Sequence, residues 1–328
     1  MQSKVFYLIK TLLLFSIFIT SLNAEDILTN YRLHGIKNLK KQLDRELYSK
    51  KYWINYIKDK DTSFGYIEKY KNILTCDKSN STLSLYMKDK NNNYILTKKY
   101  NSFTGKNTGD KVKEGDLRTP IGIYRITKKL SNIDSFYGPM AFVTSYPNLY
   151  DRYNGKDGHG IWIHGRPLDD QERDSFTKGC IAIKNKNIEC LDRNIDIDKT
   201  ILIINEEGIN KNNQKEKLAT ILSQLYEWRY YWIYNQIDNY LNFYSKEFIR
   251  FDGMNLTQFT KYKKRVFRKG ESKTIIFTDI NVIKYPNKQN LYKITFKEQY
   301  RASSFSFTGE KTLIVKLQNN QIHIITEQ

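Results

Sequence analysis

Two short stretches decide how this chain is read: Gly158-His159-Gly160-Ile161-Trp162-Ile163-His164-Gly165 and Thr177-Lys178-Gly179-Cys180-Ile181-Ala182-Ile183. Each reads as a short apolar strand with a reactive side chain at one end and a glycine beside it. A thiol attacks as the thiolate, which needs a base or a local positive charge. His164 at one strand end is the base this pairing offers to Cys180 at the other. Gly179 permits a tight backbone approach, and the Cys180 N–H suits a developing oxyanion. Taken alone, the same residues also describe a buried structural cysteine and an ordinary core histidine.

Short strands continue on both sides. Ser81–Met87 and Tyr94–Tyr100 alternate apolar and polar around the turn Asp89-Lys90-Asn91-Asn92-Asn93, a hairpin signature. Gly122–Ile126, Ala141–Ser145 and Thr200–Ile204 are further apolar runs between turn-rich loops. Residues 81–206 therefore read as one mainly β domain. The polar run Asn205–Asn213 marks a boundary. After it, Lys217–Phe243 has an apolar face of Ile221, Leu225, Trp228 and Trp232, and long strands begin at Thr274, Leu291, Thr312 and Ile322, with Asn319-Asn320 as a tight turn. Residues 207–328 form an α+β domain on this reading. Residues 25–80 read as a helical region, with Leu28, Ile36, Leu39, Leu43 and Leu47 near helical spacing over 25–60. Such a stripe must be buried on the next domain or on a second copy, so a homodimer through this helix is one expectation. The whole is a multidomain α+β protein.

Lys4 and Lys10, a run of about twelve mostly apolar residues from Thr11 to Leu22, and Asn23-Ala24 before Glu25-Asp26 describe a secretory signal peptide over residues 1–24. The run is short against the roughly 20 residues of a spanning helix. With 54 Lys and Arg against 35 Asp and Glu, the chain carries a formal +19. In an exported, periplasmic protein the fitting anionic partners are the cell wall and lipid head groups, and nucleic acid is not expected. The excess of basic residues continues beyond residue 207, where it suits glycan or wall binding or is simply a solvated surface. Export favours disulfides, yet three cysteines leave one over; Cys76 with Cys190 is the pair that would spare Cys180. The four histidines lack ligand spacing and no Cys-x-x-Cys occurs, so neither a metal nor a cofactor is expected.

Residues 81–206 resemble the L,D-transpeptidase catalytic domain, the YkuD-like fold. That family carries a His-Gly strand end, a gap of about fifteen residues, then Ser/Thr-x-Gly-Cys and an apolar residue; His164-Gly165 and Thr177–Ile181 match in order and spacing. Glu114-Gly115-Asp116-Leu117-Arg118-Thr119-Pro120-Ile121-Gly122 is similar to the family's Thr-Pro-x-Gly segment. The chain departs from the family at Lys178, where His or Ser is common, and at Ala182, where Arg or Asn is common. The last domain resembles the nuclear-transport-factor-2-like (NTF2-like) cones, on Trp228-Arg229-Tyr230-Tyr231-Trp232, Asp238 and Tyr244–Phe248. Such a cone holds a ligand, here of unknown chemistry, or packs on a partner.

The resemblance implies a cysteine enzyme of peptidoglycan stem peptides. Cys180 would be the nucleophile, His164 the general base and acid, and the Gly165 carbonyl the group that orients the imidazole. The N–H groups of Gly179 and Cys180 would form the oxyanion hole. His159, Lys178, Arg166, Arg173 and Thr177 are the expected substrate-binding residues, with Lys178 either supplying positive charge to the thiol or standing as a solvated loop lysine. The three-part architecture looks like the L,D-carboxypeptidases that trim wall tetrapeptides in helical bacteria. A cross-linking L,D-transpeptidase is the second expectation, and a wall-binding protein without turnover the third.

Overall fold

The computed structural model describes residues 24–168, 175–208 and 214–328. The expected signal peptide, but for Ala24 at the start of the first helix, lies outside the described residues, and so does Arg173. Two bodies are present, Met1–Asp44 and Arg45–Gln328. Helix α1 (Ala24–Glu46), all but its last two residues in the first body, is kinked at Gly35, whose φ of 72° and ψ of 173° no helix contains. Its Leu28, Ile36 and Leu43 are exposed.

The second body opens with α2 (Lys50–Ile57), started by the Ser49 hydroxyl accepting the Tyr52 N–H. The expected single helix over 25–60 is thus two, and the chain turns to strand well before residue 80. Strand β1 (Tyr66–Ile67) is followed by β2 (Asn72–Asp77), β3 (Thr82–Lys88), β4 (Tyr94–Phe103) and β5 (Gly122–Ser131). Next come β6 (Met140–Thr144), helix α3 (Leu149–Tyr153), β7 (Trp162–His164), β8 (Ile181–Ile183), helix α4 (Asn185–Asn194) and β9 (Thr200–Asn205). Strands β2 to β9 close a barrel in the order β2-β3-β4-β8-β7-β6-β5-β9. The barrel therefore starts at Asn72 rather than at residue 81. The short run Asn72–Cys76 does not alternate apolar and polar residues, because β2 is buried along nearly its whole length, paired with β3 and β9. Leu74, Leu85, Phe142, Ile163, Ile181 and Leu202 fill the interior, and α4 adds Ile188 and Leu191.

The C-terminal domain has helices α5 (Lys215–Ile233), α6 (Ile237–Leu241) and α7 (Leu256–Phe267), then strands β10 (Thr274–Lys284), β11 (Leu291–Arg301), β12 (Ser306–Gln318) and β13 (Gln321–Glu327). The expected helix Lys217–Phe243 breaks after Ile233, with Asn235 at φ 57°. Asn319 and Asn320, at φ 49° and 60°, make the hairpin turn the sequence predicted. The sheet is antiparallel throughout, in the order β1-β10-β11-β12-β13. Its core includes Trp228, Phe259 and Phe296 from the domain itself, and Trp53, Ile57 and Tyr66 from ahead of the barrel. A third apolar cluster, with Ile73, Ile123, Ile201, Ile283, Tyr285 and Ile314, joins the barrel to this sheet. Across it, Asn148 donates to the Tyr285 hydroxyl at 3.0 Å and Lys293 Nζ to the Ile123 carbonyl at 3.2 Å.

All three cysteines are free. Cys76 is fully buried in the barrel core, whereas Cys190 lies on α4 with its sulfur 3.7 Å from the Tyr100 hydroxyl. The Cys76–Cys190 pairing that the sequence left open does not form.

Candidate active site

Strands β7 and β8 run parallel, with Ile163 opposite Ile181 and His164 opposite Ala182. Side chains two apart share a face of a strand, so Cys180, one residue ahead of β8, lies on the face of His164. The Trp162 N–H donates to the Cys180 sulfur at 3.5 Å, and the thiol faces the Gly160 carbonyl at 3.4 Å. His164 Nδ1 is 2.6 Å from the Gly165 carbonyl oxygen. A carbonyl only accepts, so Nδ1 carries the hydrogen and Nε2 is left with a lone pair for a proton. The Tyr137 ring stands edge-on to the imidazole, 5.1 Å between centres, and 5.0 Å from the Trp162 ring. Tyr137 lies on a short 3₁₀ turn, Ser135–Tyr137, and nothing in the sequence marked it.

The loop that carries Cys180 is held by two threonines. Thr119, fully buried, donates to the Gly179 carbonyl at 2.9 Å and accepts the Gly105 N–H at 2.8 Å. Thr177 donates to the Cys180 carbonyl at 2.7 Å and accepts the Gly179 N–H at 3.0 Å. That last bond corrects one expectation: the Gly179 N–H is spent inside the loop, leaving the Cys180 N–H as the oxyanion donor this loop offers. Both hydrogen bonds of the Thr177 hydroxyl lie within the loop. Gly179 sits at φ 138°, and a Cβ there would stand 2.9 Å from the Arg118 carbonyl oxygen, so only glycine fits.

Burial pushes the Cys180 thiol up, while the Trp162 N–H and the Lys111 charge pull it partly back. Burial likewise lowers His164, opposed by its bond to Gly165. Both shifts favour neutral partners at rest. The Lys111 side chain is buried, whereas Lys178, close to Cys180 in sequence, is exposed.

The other expected binding residues divide. His159 is exposed, next to the Gly160 whose carbonyl faces the thiol, and does not pack at the strand start. The Arg166 guanidinium stacks 4.2 Å from the centre of the Phe103 ring, and its Nε is buried with no hydrogen-bond partner among the described residues. The Arg166 N–H is held by Asn185 Oδ1 at 2.7 Å. Asn185 also closes over Gly165, where a Cβ would come within 2.4 Å of that oxygen. It lies after β8 at the start of α4, and nothing in its sequence position marks its return to the His164 strand end. Among the described residues no three His, Cys, Asp or Glu side chains gather as a metal site would require.

Comparison with known proteins fits this geometry. Residues 71–204 match the L,D-transpeptidase catalytic domain family, YkuD, and residues 220–328 match the Cds6 C-terminal NTF2-like domain. The crystal structure of the helical cell shape determining protein Pgp2 of Campylobacter jejuni is 37% identical, with a TM-score of 0.78 over 86% of this chain and 99% of that one. Bd1075 of Bdellovibrio bacteriovorus is 25% identical, with a TM-score of 0.63 over 79% of this chain and 92% of its own. YafK of Escherichia coli K12 is 32% identical over 114 residues. That match spans 34% of this chain and 42% of YafK, so the chain covers about two fifths of the curated relative. The chain belongs to the YkuD L,D-transpeptidase-domain family, in the form that carries a C-terminal NTF2-like domain.

Proposed function

We propose that the protein is an exported cysteine L,D-carboxypeptidase that removes the terminal D-Ala from peptidoglycan tetrapeptides and so influences cell shape. The observation that carries the reading is His164: Nδ1 is fixed on the Gly165 carbonyl, which leaves the Nε2 lone pair for a proton on a residue that shares its strand face with Cys180. The similarity to Pgp2, named for helical cell shape and matched over nearly its whole length, supports the biological role.

The proton of the Cys180 thiol passes to His164 Nε2 as the sulfur attacks the carbonyl at the L-centre of the diamino acid. The Cys180 N–H stabilises the resulting oxyanion. The C–N bond to D-Ala then breaks, and His164 returns the proton to the leaving amine. Water, deprotonated by the same imidazole, attacks the thioester, and the thiol is restored. A transpeptidase differs only in the last step, where the side-chain amine of a second stem peptide replaces water. That amine must be held long enough to outcompete water.

Incubation of the purified enzyme with a disaccharide tetrapeptide, read by mass spectrometry, tests the proposal. Tripeptide and free D-Ala are expected. A cross-linked dimer as main product replaces carboxypeptidase by transpeptidase, and no product makes the chain a wall-binding protein. Cys180→Ala abolishes turnover with the fold intact, and His164→Ala loses roughly 10²–10⁴ in rate. A Cys180→Ala variant as active as the parent overturns the mechanism.

A further inference from the structure

The segment between Asp110 and Thr119 touches both pieces of backbone that contact Cys180. On one side, Thr119 holds the Gly179 carbonyl and the Arg118 carbonyl packs on Gly179. On the other, the Glu114 N–H donates to Asp157 at 2.6 Å and Gly158 packs on Glu114, two residues before the Gly160 carbonyl that the thiol faces. The segment is organised around one buried ion pair. Lys111 Nζ donates to Asp116 Oδ1 at 2.7 Å and to the Lys113 carbonyl at 3.0 Å. The Asp116 carboxylate also accepts the N–H groups of Val112, Lys113 and Arg118, at 2.8, 3.2 and 3.1 Å. Only 4% of the Lys111 side chain and 8% of the Asp116 side chain is exposed. A pair so placed is costly to desolvate, and three backbone bonds to one carboxylate would already fix the loop without a lysine. The lysine calls for a second role.

We propose that Lys111 and Asp116 form a positioning pair for Cys180, in which the Lys111 ammonium biases the sulfur toward thiolate and Asp116 limits that bias. The inference rests on the reading of Cys180 as the nucleophile. Among the described residues, His164 lies on the same strand face as the thiol, and Tyr137 on the 3₁₀ turn stands against the His164 ring. Tyr137 is raised chiefly by burial and next by the Cys180 charge. The low pKa of Asp116 fits the arrangement: against a burial that pushes it up, the Lys111 bond and the backbone N–H groups hold it at about 2. It is therefore ionised wherever the enzyme works. Removing the lysine should make the thiolate harder to form, and removing the aspartate charge should make it easier.

The test is the pH dependence of Cys180 alkylation by iodoacetamide in the full-length protein, with the labelled peptide identified by mass spectrometry so that Cys190 does not interfere. Lys111→Met is expected to move the midpoint up by about half a unit to one unit, the scale of one nearby partly screened charge. Asp116→Asn is expected to move it down, and the double variant to return close to the parent value. A loop that merely loosens would move both single variants in the same direction, and that outcome overturns the proposal, as does an unchanged midpoint in Lys111→Met. Melting curves identify any variant that does not fold, in which case Lys111→Gln and Asp116→Ser repeat the comparison. Alkylation needs no substrate, so a failure here is separate from a failure of the carboxypeptidase reading, which the tetrapeptide assay decides.

Discussion

The hydroxyl of Thr119 bridges two chain segments far apart in sequence, donating to the Gly179 carbonyl at 2.9 Å and accepting the Gly105 N–H at 2.8 Å. Thr119 has no exposed surface, so neither bond is replaced by water when it is lost. Thr119→Val keeps the shape and strands both partners, and is expected to cost about 1–3 kcal/mol for each group left unpaired. Thr119→Ser should keep most of the stability. Chemical denaturation of the two variants measures the difference. A valine variant as stable as the parent would mean that the loop finds other partners.

The pH dependence of turnover follows from the two shifts at the site. Falling pH protonates His164, and burial lowers its pKa, so the acid limb of kcat/KM should have its midpoint below the ordinary imidazole value of about 6.5. Rising pH ionises a thiol that burial has raised, so the alkaline limb should lie above the ordinary value of about 8.5. The active form holds a neutral imidazole and a neutral thiol, and its plateau is wide. A narrow bell centred between two unshifted values would contradict the resting neutral pair.

In the C-terminal domain, Lys263 Nζ lies 4.8 Å from the Trp232 ring centre, 5.3 Å from Tyr240 and 5.2 Å from Phe259. Burial lowers its pKa to about 8, against the pull of Glu327. Between there and the unfolded value of about 10.4, the unfolded chain binds more protons than the fold, so stability rises with pH across that window. The cost of burying the charge is fully present below it. Lys263→Met should therefore be at least as stable as the parent at pH 7, and its advantage should shrink toward pH 10. Glu327 keeps the Tyr244 hydroxyl at 2.9 Å and Lys311 at 3.5 Å in that variant. Denaturant midpoints across the range check it, and a large loss at pH 7 would refute it.

Helix α1 leaves Leu28, Leu33 and Ile36 more than half exposed, and we propose that it self-associates. Sedimentation of the protein with and without residues 25–44 should give a dimer and a monomer respectively. A monomer in both cases assigns the stripe to packing within one chain.

What was legible in the sequence was local. The alternation of β3 and β4, the Asn319-Asn320 turn and the Cys180 and His164 strand ends each rest on a few neighbouring residues. What was not legible arises from closure of the barrel. The N–H of Gly179 reads as free until Thr177 folds back on it. Lys178 sits close to Cys180 in sequence and is exposed, while the buried Lys111, far upstream, pairs with Asp116 in the segment that packs on Gly179. Asn185 acquires its role only because β7 and β8 are neighbours. Strand β2 lacked alternation because both of its faces are buried, and α2 looked like part of an N-terminal region because its apolar residues meet α5 only across the whole barrel.

That last arrangement bears on how the molecule comes together. Trp53, Ile57 and Tyr66 are made early, and the helix and strands they dock on are made last. From the viewpoint of the C-terminal domain, the entire barrel is an insertion whose two ends must meet before that domain can close, a long loop in the entropic sense. A nick between residues 205 and 214 would therefore not yield two self-sufficient pieces. The fragment after the cut would lack the indole of Trp53 from its core, and the fragment before it would carry that indole with nowhere to put it.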